Sequence, residues 1–90
     1  MKNTLKIIVK YPRVGLILEK NGKLIEEIFW EDKNDISNQL LTQINELLGK
    51  NNLTVQDLAQ VSTVSNQKSY TASRIARTIT KTINFCLKQK

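Results

Sequence analysis

Neighbouring acidic residues are the first candidates for chemistry, because two carboxyl groups that meet on a substrate can divide general acid and general base work. Glu26-Glu27 and Glu31-Asp32 are such pairs. Adjacent residues of a β-strand point to opposite faces of a sheet, so neither pair converges if the segment is extended. We therefore expect no catalytic role for these carboxylates.

Nucleophilic catalysis and metal binding lack their usual residues in this chain. Its 90 residues contain no histidine and one cysteine, Cys86, so the commonest general base and metal ligand is missing. Ser69 and Thr71 have only Lys68 nearby to activate them, and their expected role is to cap the helix that follows. We expect a protein that is not an enzyme and that holds no cofactor and no metal.

Basic residues align on one face of the last predicted helix. At 100° per residue, four of them fall within about 60° of one another: Arg74, Arg77, Lys81 and Lys88. The chain has a net charge of +6 and a pI near 9.7. The ridge is either the solvated face of an amphipathic helix or a contact for phosphate or an acidic partner. We identify no aromatic platform or Gly-rich loop beside it, which disfavours sequence-specific RNA binding.

The first predicted helix has a polar face that is almost uncharged. Its residues are Asn38, Gln39, Thr42, Gln43 and Asn45, with Glu46 as the single charge. Neutral amides cost less to desolvate than ions, and interface centres are depleted of charge. We hypothesise that this face and the last helix bind a partner's helices through Asn38, Leu41, Thr42, Asn45, Thr71, Arg74, Thr78 and Lys81.

The hydropathy pattern predicts a mixed α/β domain spanning residues 1–90. Alternating apolar residues predict strands over 5–9, 14–20 and 23–30, and Asn21-Gly22 is typical of a type I′ hairpin turn. A period of 3.6 residues predicts helices over 35–48 and 70–87, the first ended by Gly49 with Asn51-Asn52. Between them we expect a helical turn to Ala59 and a strand over 61–64. The predicted order is βββαβα.

Both helices are expected to cover one face of a four-stranded mixed sheet, because a helical crossover returns its strand parallel to the first. The apolar stripes of the helices are Ile36, Leu40, Leu41, Ile44, Leu47 and Leu48, then Ala72, Ile75, Ala76, Ile79, Ile83 and Cys86. The covered sheet face is expected to carry Leu5, Ile7, Val9, Leu16, Leu18, Leu24, Ile28 and Trp30. The opposite face is expected to carry Ile8, Ile17, Ile25 and Phe29 among charged residues.

Composition places the chain among folded proteins. Apolar residues make up 40% and charged residues 24%, which argues against disorder. No apolar run approaches the roughly 18 residues that span a bilayer, and the first residues do not resemble a secretory signal. We expect a cytoplasmic protein without a membrane partner.

Several strings resemble the amino-terminal half of the TsaB (YeaZ) family, in the same order along the chain. They are VGLILEKNGKLIEE at 14–27, NDISNQLL at 34–41, INELL at 44–48, NLTVQDL at 52–58 and SYTASRIA at 69–76. The resemblance covers nearly the whole chain. It implies half of an actin-like/sugar-kinase-like (ASKHA) fold.

Two family segments differ here. Family members have an Asp-Thr-Ser turn where this chain has Lys10-Tyr11-Pro12. They also have a Gly-Pro-Gly-Ser-Phe-Thr-Gly-Leu-Arg segment before the last helix, of which only Ser69, Tyr70 as the aromatic residue, Thr71 and Arg74 carry over. Without those glycines, backbone N–H groups approach a phosphate less closely, so we expect no nucleotide cradle.

The resemblance implies a non-catalytic scaffold subunit in tRNA threonylcarbamoyladenosine synthesis. Such a subunit pairs through its helices with the catalytic paralogue TsaD, in a pathway that also uses the ATPase TsaE. We expect a TsaD-like partner, or a second copy of this chain, with a TsaE-like ATPase in the same complex and tRNA touched indirectly or weakly. The alternative is a basic RNA-binding module that contacts phosphates through Arg74, Arg77, Lys81 and Lys88.

Overall fold

Four strands and two helices follow one another in the predicted order βββαβα. The structure is a computed structural model that describes residues 2–10, 13–31, 36–65 and 71–88. The elements are β1 (Asn3–Lys10), β2 (Arg13–Lys20), β3 (Lys23–Glu31), α1 (Ile36–Lys50), β4 (Leu58–Ser65) and α2 (Thr71–Lys88). A short 3-10 turn, Val55–Asp57, precedes β4. β4 is longer than predicted, and the turn ends two residues before Ala59.

The four strands form one mixed sheet in the order β3-β2-β1-β4. β1 pairs antiparallel with β2 and parallel with β4, and β2 pairs antiparallel with β3. The parallel return after α1 was expected for a helical crossover. The predicted four-stranded mixed sheet is therefore confirmed.

The core lies between one sheet face and the two helices. Alternate residues of β1 and β2 enter it because side chains of a strand point to opposite faces in turn. Its fully buried members are Leu5, Ile7, Val9, Val14, Leu16, Leu18, Leu40, Ile44, Leu47, Leu48, Leu58, Val61 and Ala76. Ile28 and Trp30 of β3 pack at its margin.

The hairpin between β2 and β3 has the predicted backbone. Asn21 has a φ of 55° and Gly22 a φ of 82°, the two positive angles that a type I′ turn requires. Asn21 also holds the start of β1, since its N–H donates to the carbonyl of Lys2 at 2.8 Å. The Lys2 N–H in turn donates to the Asn21 side-chain oxygen at 3.0 Å.

Asn52, rather than Gly49, forms the C-terminal cap of α1. Asn52 has a φ of 58°, its N–H donates to the Gly49 carbonyl at 3.1 Å, and the Leu53 N–H donates to the Leu48 carbonyl at 2.8 Å. These two bonds are those of a Schellman motif, in which the left-handed residue follows the last turn. The helix was predicted to end at Gly49 with Asn51-Asn52; Gly49 is still helical and α1 runs to Lys50, so within that predicted segment Asn52 makes the cap.

A β-bulge in β3 exchanges the predicted faces of Leu24 and Ile25. The β2–β3 register shifts between Leu18 and Glu19, so that Glu26 lies opposite Leu18 and Leu24 lies opposite Glu19. Leu24 thus lies on the open face and is 56% exposed. Ile25 instead lines a small cavity of about 180 Å³ on the helix side with Leu18 and others.

Two residues predicted in the apolar helix stripes are exposed. Leu41 of α1 is 50% exposed, and Cys86 near the end of α2 is exposed. Leu87 packs against the core margin at the end of α2 instead. A real helix buries a narrower arc than the broad stripe that periodicity allows, so residues at the stripe's edge remain in solvent.

Several predictions concern parts of the chain outside the described residues. They are Tyr11-Pro12, which stand where the family has a turn, the acidic residue Asp32, the first residue of the predicted helix 35–48, and the predicted capping residue Ser69 with its neighbours Lys68 and Tyr70. The side chains of Ile36, Thr71 and Ala72 are also outside the described part.

Candidate functional site

The exposed face of α2 carries the predicted basic ridge. Arg74, Arg77, Lys81 and Lys88 are all exposed, and α2 contains no acidic residue. Thr78 and Thr82 lie on the same side, where each hydroxyl donates to the carbonyl four residues earlier, at 3.0 and 2.9 Å. Both threonine hydroxyls thus donate their hydrogen bonds within the helix. The cationic groups of the ridge are exposed to solvent.

Phe85 lies within the basic ridge and is 64% exposed. Eleven residues separate it from Arg74, which is about three helical turns, so the two side chains share one face. Lys81 lies one turn before Phe85. The sequence interpretation missed this aromatic residue, although its position on the 3.6-residue period was available to find it.

The exposed face of α1 surrounds one large apolar side chain. Asn38, Thr42 and Asn45 are exposed, as predicted, and Leu41 lies among them. An exposed leucine on a neutral polar surface has the composition of an interface centre, where burial is favourable and few charges need desolvation. The exposure of Leu41 and its neutral polar neighbours therefore favour a contact role over a place in the core.

A shallow groove of about 250 Å³ joins the two helices near their first turns. It is lined by Ser37 of α1 and by Arg74, Ile75, Thr78 and Ile79 of α2. The helix face is therefore one surface, which we define as Ser37, Asn38, Leu41, Thr42 and Asn45 of α1 with Arg74, Thr78, Lys81 and Phe85 of α2. The side chain of Thr71, also predicted as a contact, lies outside the described part.

Gln39 and Gln43 do not belong to this exposed surface. Both are half-buried, and the Gln39 side-chain oxygen accepts a hydrogen bond from the indole Nε1 of Trp30 at 3.2 Å. Gln39 thus ties α1 to β3. The prediction that Gln39 lies on the exposed polar face was wrong. Gln39 lies at the edge of that face, and its side chain points toward the sheet, where it accepts the hydrogen bond from Trp30.

The face opposite the helices presents a row of apolar residues across the sheet. Val64, Ile8, Gly15 and Phe29 are register partners on consecutive strands from β4 to β3. Lys6 and Glu19 form an ion pair at 3.2 Å on the same side. Ile8 is nearly buried, whereas Val64 and Phe29 are each 48% exposed.

Metal-binding geometry is not seen in the part of the chain that the structure describes. Within residues 2–10, 13–31, 36–65 and 71–88, no group of three or more His, Cys, Asp or Glu side chains is placed to hold an ion. Among these same residues, neither helix is long and apolar enough to cross a membrane.

Among residues 2–10, 13–31, 36–65 and 71–88, Glu26 is the ionisable side chain with a clearly shifted pKa, and it lies away from the helix face. Lys50 donates to the Glu26 carboxylate at 3.1 Å and Asn51 donates to it at 3.3 Å. These bonds, Lys50 first, lower the pKa of Glu26. This contact joins β3 to the end of α1, so it stabilises the fold and takes no part in the candidate site.

Solved structures provide the decisive comparison for the fold. YeaZ from Pseudomonas aeruginosa matches 98% of this chain with a TM-score of 0.83 and 16% sequence identity. The chain has a YeaZ-like fold. An uncharacterized protein with similarity to peptidase YeaZ, also from Pseudomonas aeruginosa, matches 98% of it with a TM-score of 0.84 and 16% identity.

The YeaZ-like chain spans only part of the structures it matches. It covers 41% of the first and 40% of the second. The prediction of part of an actin-like/sugar-kinase-like fold is confirmed by this match. Comparison with protein-family models and with curated proteins gave no match.

Proposed function

We propose that this chain is a TsaB-like, non-catalytic scaffold subunit in tRNA threonylcarbamoyladenosine synthesis, and that it binds a TsaD-like enzyme through its helix face. The observation that carries the proposal is the YeaZ-like fold over 98% of the chain. Sequence resemblance along the same segments points to the same family. The proposed site of action is the cytoplasm, where tRNA is modified.

The helix face supports binding by its composition. Leu41 and Phe85 are 50% and 64% exposed, and burying large apolar side chains of this kind favours association. Around them lie neutral polar residues on α1 and cations on α2. Arginine and aromatic residues are enriched at the centres of protein interfaces, and Arg74 shares the face of Phe85.

A scaffold of this kind acts by holding its partner's helices in one arrangement. The contact removes Leu41 and Phe85 from water only when the partner presents matching helices, so binding selects that arrangement. Arg77 and Lys88 are exposed and lie outside the helix face as defined, and the proposal assigns them to the phosphates of a tRNA bound by the complex. A TsaE-like ATPase then acts on the partner within the same assembly.

A basic RNA-binding module is the second candidate, and Phe85 is the observation that favours it. An exposed aromatic ring among cations can stack on a base while neighbouring lysine and arginine side chains contact phosphates. Such binding weakens steeply with salt, because phosphate neutralisation releases counterions. Binding between apolar and neutral polar surfaces depends on salt far less.

The experiment is co-elution of the chain with a TsaD-like enzyme from the same cell on size exclusion, tested with surface variants. Leu41→Glu and Phe85→Glu place a charge at the proposed contact and are expected to abolish co-elution. Leu24→Glu is the matched control, because Leu24 is equally exposed but lies on the opposite sheet face. Loss of binding in the control alone, or binding in every variant, would contradict the proposal.

The RNA alternative is separated by measuring tRNA binding at 50 and 200 mM salt with Arg77→Gln and Lys88→Gln, which lie outside the helix face as defined. The module predicts a steep salt slope that falls by about 1 for each phosphate contact removed. The scaffold predicts that the chain alone binds tRNA weakly and that the enzyme still co-elutes. A self-associating helix face would appear as a homodimer that Leu41→Glu and Phe85→Glu dissociate.

A further inference from the structure

Strand β4 lies at the edge of the sheet among the described residues. Its sequence, LAQVSTVS, has no charge, proline or glycine, and Val61, Thr63 and Val64 are β-branched. Proteins usually protect such an edge with lysine, proline or a covering element, because free backbone groups pair readily with another strand. The strand's own side chains offer no such protection.

Asn84 of α2 contacts the backbone of β4 with both ends of its side-chain amide. The Val61 N–H donates to Asn84 Oδ1 at 3.0 Å, and Asn84 Nδ2 donates to the Val61 carbonyl at 2.8 Å. The N–H and C=O of one strand residue point to the same side. Since both Val61 groups meet Asn84, they point away from β1 and toward the outer edge.

The two bonds have the pattern that a residue of a neighbouring strand would make. A backbone unit offers one donor and one acceptor, and so does a carboxamide. The helix holds the amide in place, because Ile83 and Leu87 on either side of it pack against the core. Asn84, a helix residue, thus occupies the place that one residue of a neighbouring strand would take.

Open space lies next to this contact. A cleft of about 370 Å³ is lined by Ala59, Gln60, Asn84, Leu87 and Lys88. Lys88 is the one charge on its wall. A second strand could therefore approach the first half of β4 without steric clashes with the walls of the cleft. The Asn84 amide is the group that occupies the hydrogen-bonding position of that strand.

We propose that Asn84 closes the edge of β4 and thereby prevents a second copy of this chain from pairing there, strand to strand. A second copy fits this edge because β4 itself carries no charge, so two β4 strands arranged antiparallel about a two-fold axis would bring no like charges of their own together. The interface is separate from the helix face and does not depend on the proposed function.

The test compares Asn84→Ala with the wild-type chain by sedimentation equilibrium. Removing the amide frees both Val61 groups, and the self-association constant is expected to rise at least tenfold. Adding Gln60→Lys to Asn84→Ala is expected to return it to the wild-type value, because a lysine on the edge opposes pairing. Thr82→Ala, at an exposed position of the same helix, is the control and is expected to change nothing. A folded Asn84→Ala variant whose self-association constant equals that of the wild-type chain would overturn the proposal.

Hydrogen exchange of the wild-type chain tests the same proposal if Asn84→Ala does not fold. By alternation, the Val61 and Thr63 amides both point to the outer edge, but only Val61 meets Asn84. We expect the Val61 amide to exchange at least tenfold more slowly than the Thr63 amide. Equal exchange of the two amides would overturn the proposal.

Discussion

Gly15 is the residue at which a single methyl group has the clearest predicted effect. It lies opposite Phe29 on the open sheet face, and a Cβ added at Gly15 would overlap the Phe29 ring. Its φ lies outside the left-handed region, so the restriction is contact with the ring rather than backbone strain. The ring fills the space that the missing side chain leaves, which shields the backbone of β2.

We predict that Gly15→Ala lowers the free energy of unfolding by about 1 to 3 kcal/mol, the usual cost of forcing an extra carbon into a packed position. In the Phe29→Ala background the same change should be neutral or stabilising, because alanine is favoured over glycine in a strand. Urea unfolding of the wild-type chain, Gly15→Ala, Phe29→Ala and the double variant measures this double-mutant cycle. Equal effects of Gly15→Ala in both backgrounds would show that the ring is not the cause.

Glu26 gives the fold a predicted dependence on acid. Its pKa in the folded chain lies below the ordinary 4.5 because Lys50, then Asn51, bind the charged form. A carboxylate with a lowered folded pKa stabilises the fold above its unfolded pKa, and that contribution disappears as pH falls through the folded pKa. Part of the stability at pH 7 should therefore be lost below about pH 4.5.

Glu26→Gln is the variant that tests this dependence. Glu26→Gln should lower the free energy of unfolding at pH 7. It should also reduce the difference between the free energies of unfolding at pH 7 and pH 3, both measured by urea unfolding. Glu27→Gln is the matched control, since it removes the same charge one residue away without touching Lys50. If Glu26→Gln leaves the difference in free energy of unfolding between pH 7 and pH 3 unchanged, the Lys50 contact is not the source of that difference.

At the scale of elements, two glycines with different backbones should respond oppositely to alanine. Gly22 has a φ of 82° and nothing within 4 Å of an added Cβ, so the cost of Gly22→Ala is conformational strain. Gly49 is helical and equally open. We predict that Gly22→Ala destabilises the hairpin by about 1 kcal/mol and that Gly49→Ala stabilises α1 by about 0.5–1 kcal/mol. Thermal unfolding measures both signs, and a stabilising Gly22→Ala would refute the assigned turn.

Element order and type were predictable from the sequence, whereas one register detail was not. Asn21-Gly22 and the alternating strands specify the hairpin, and the 3.6-residue period specifies both helices. The bulge at Ile25 leaves no signal in that alternation, because it inserts one residue and exchanges the faces on its far side. Leu24 and Ile25 were therefore placed on the wrong faces.

The candidate site was predictable in part, for a related reason. Exposed polar and basic residues of the helix face follow from helical periodicity alone. Leu41 was named both as a contact and as part of an apolar helix stripe, and its 50% exposure fits the contact, whereas Phe85 was missed because isolated apolar residues on a polar face carry little signal. The bond between Gln39 and Trp30 and the bonds between Asn84 and Val61 join residues of different elements, and no local pattern specifies them.

At the scale of the whole molecule, the charge distribution separates two surfaces. The helix face has cations on α2 and neutral residues on α1, while the open sheet face pairs Lys6 with Glu19 beside its apolar row. The net charge of +6 gives the chain as a whole an attraction for acidic partners. A partner for the helix face should therefore be neutral or acidic where it meets α2.

The most direct test is titration calorimetry of the chain into a TsaD-like enzyme from the same cell. The account predicts a saturating isotherm with one chain per enzyme molecule, which disappears with Leu41→Glu and with Phe85→Glu and persists with Leu24→Glu. No heat of binding from the folded wild-type chain, or an isotherm that both helix-face variants leave unchanged, would contradict it.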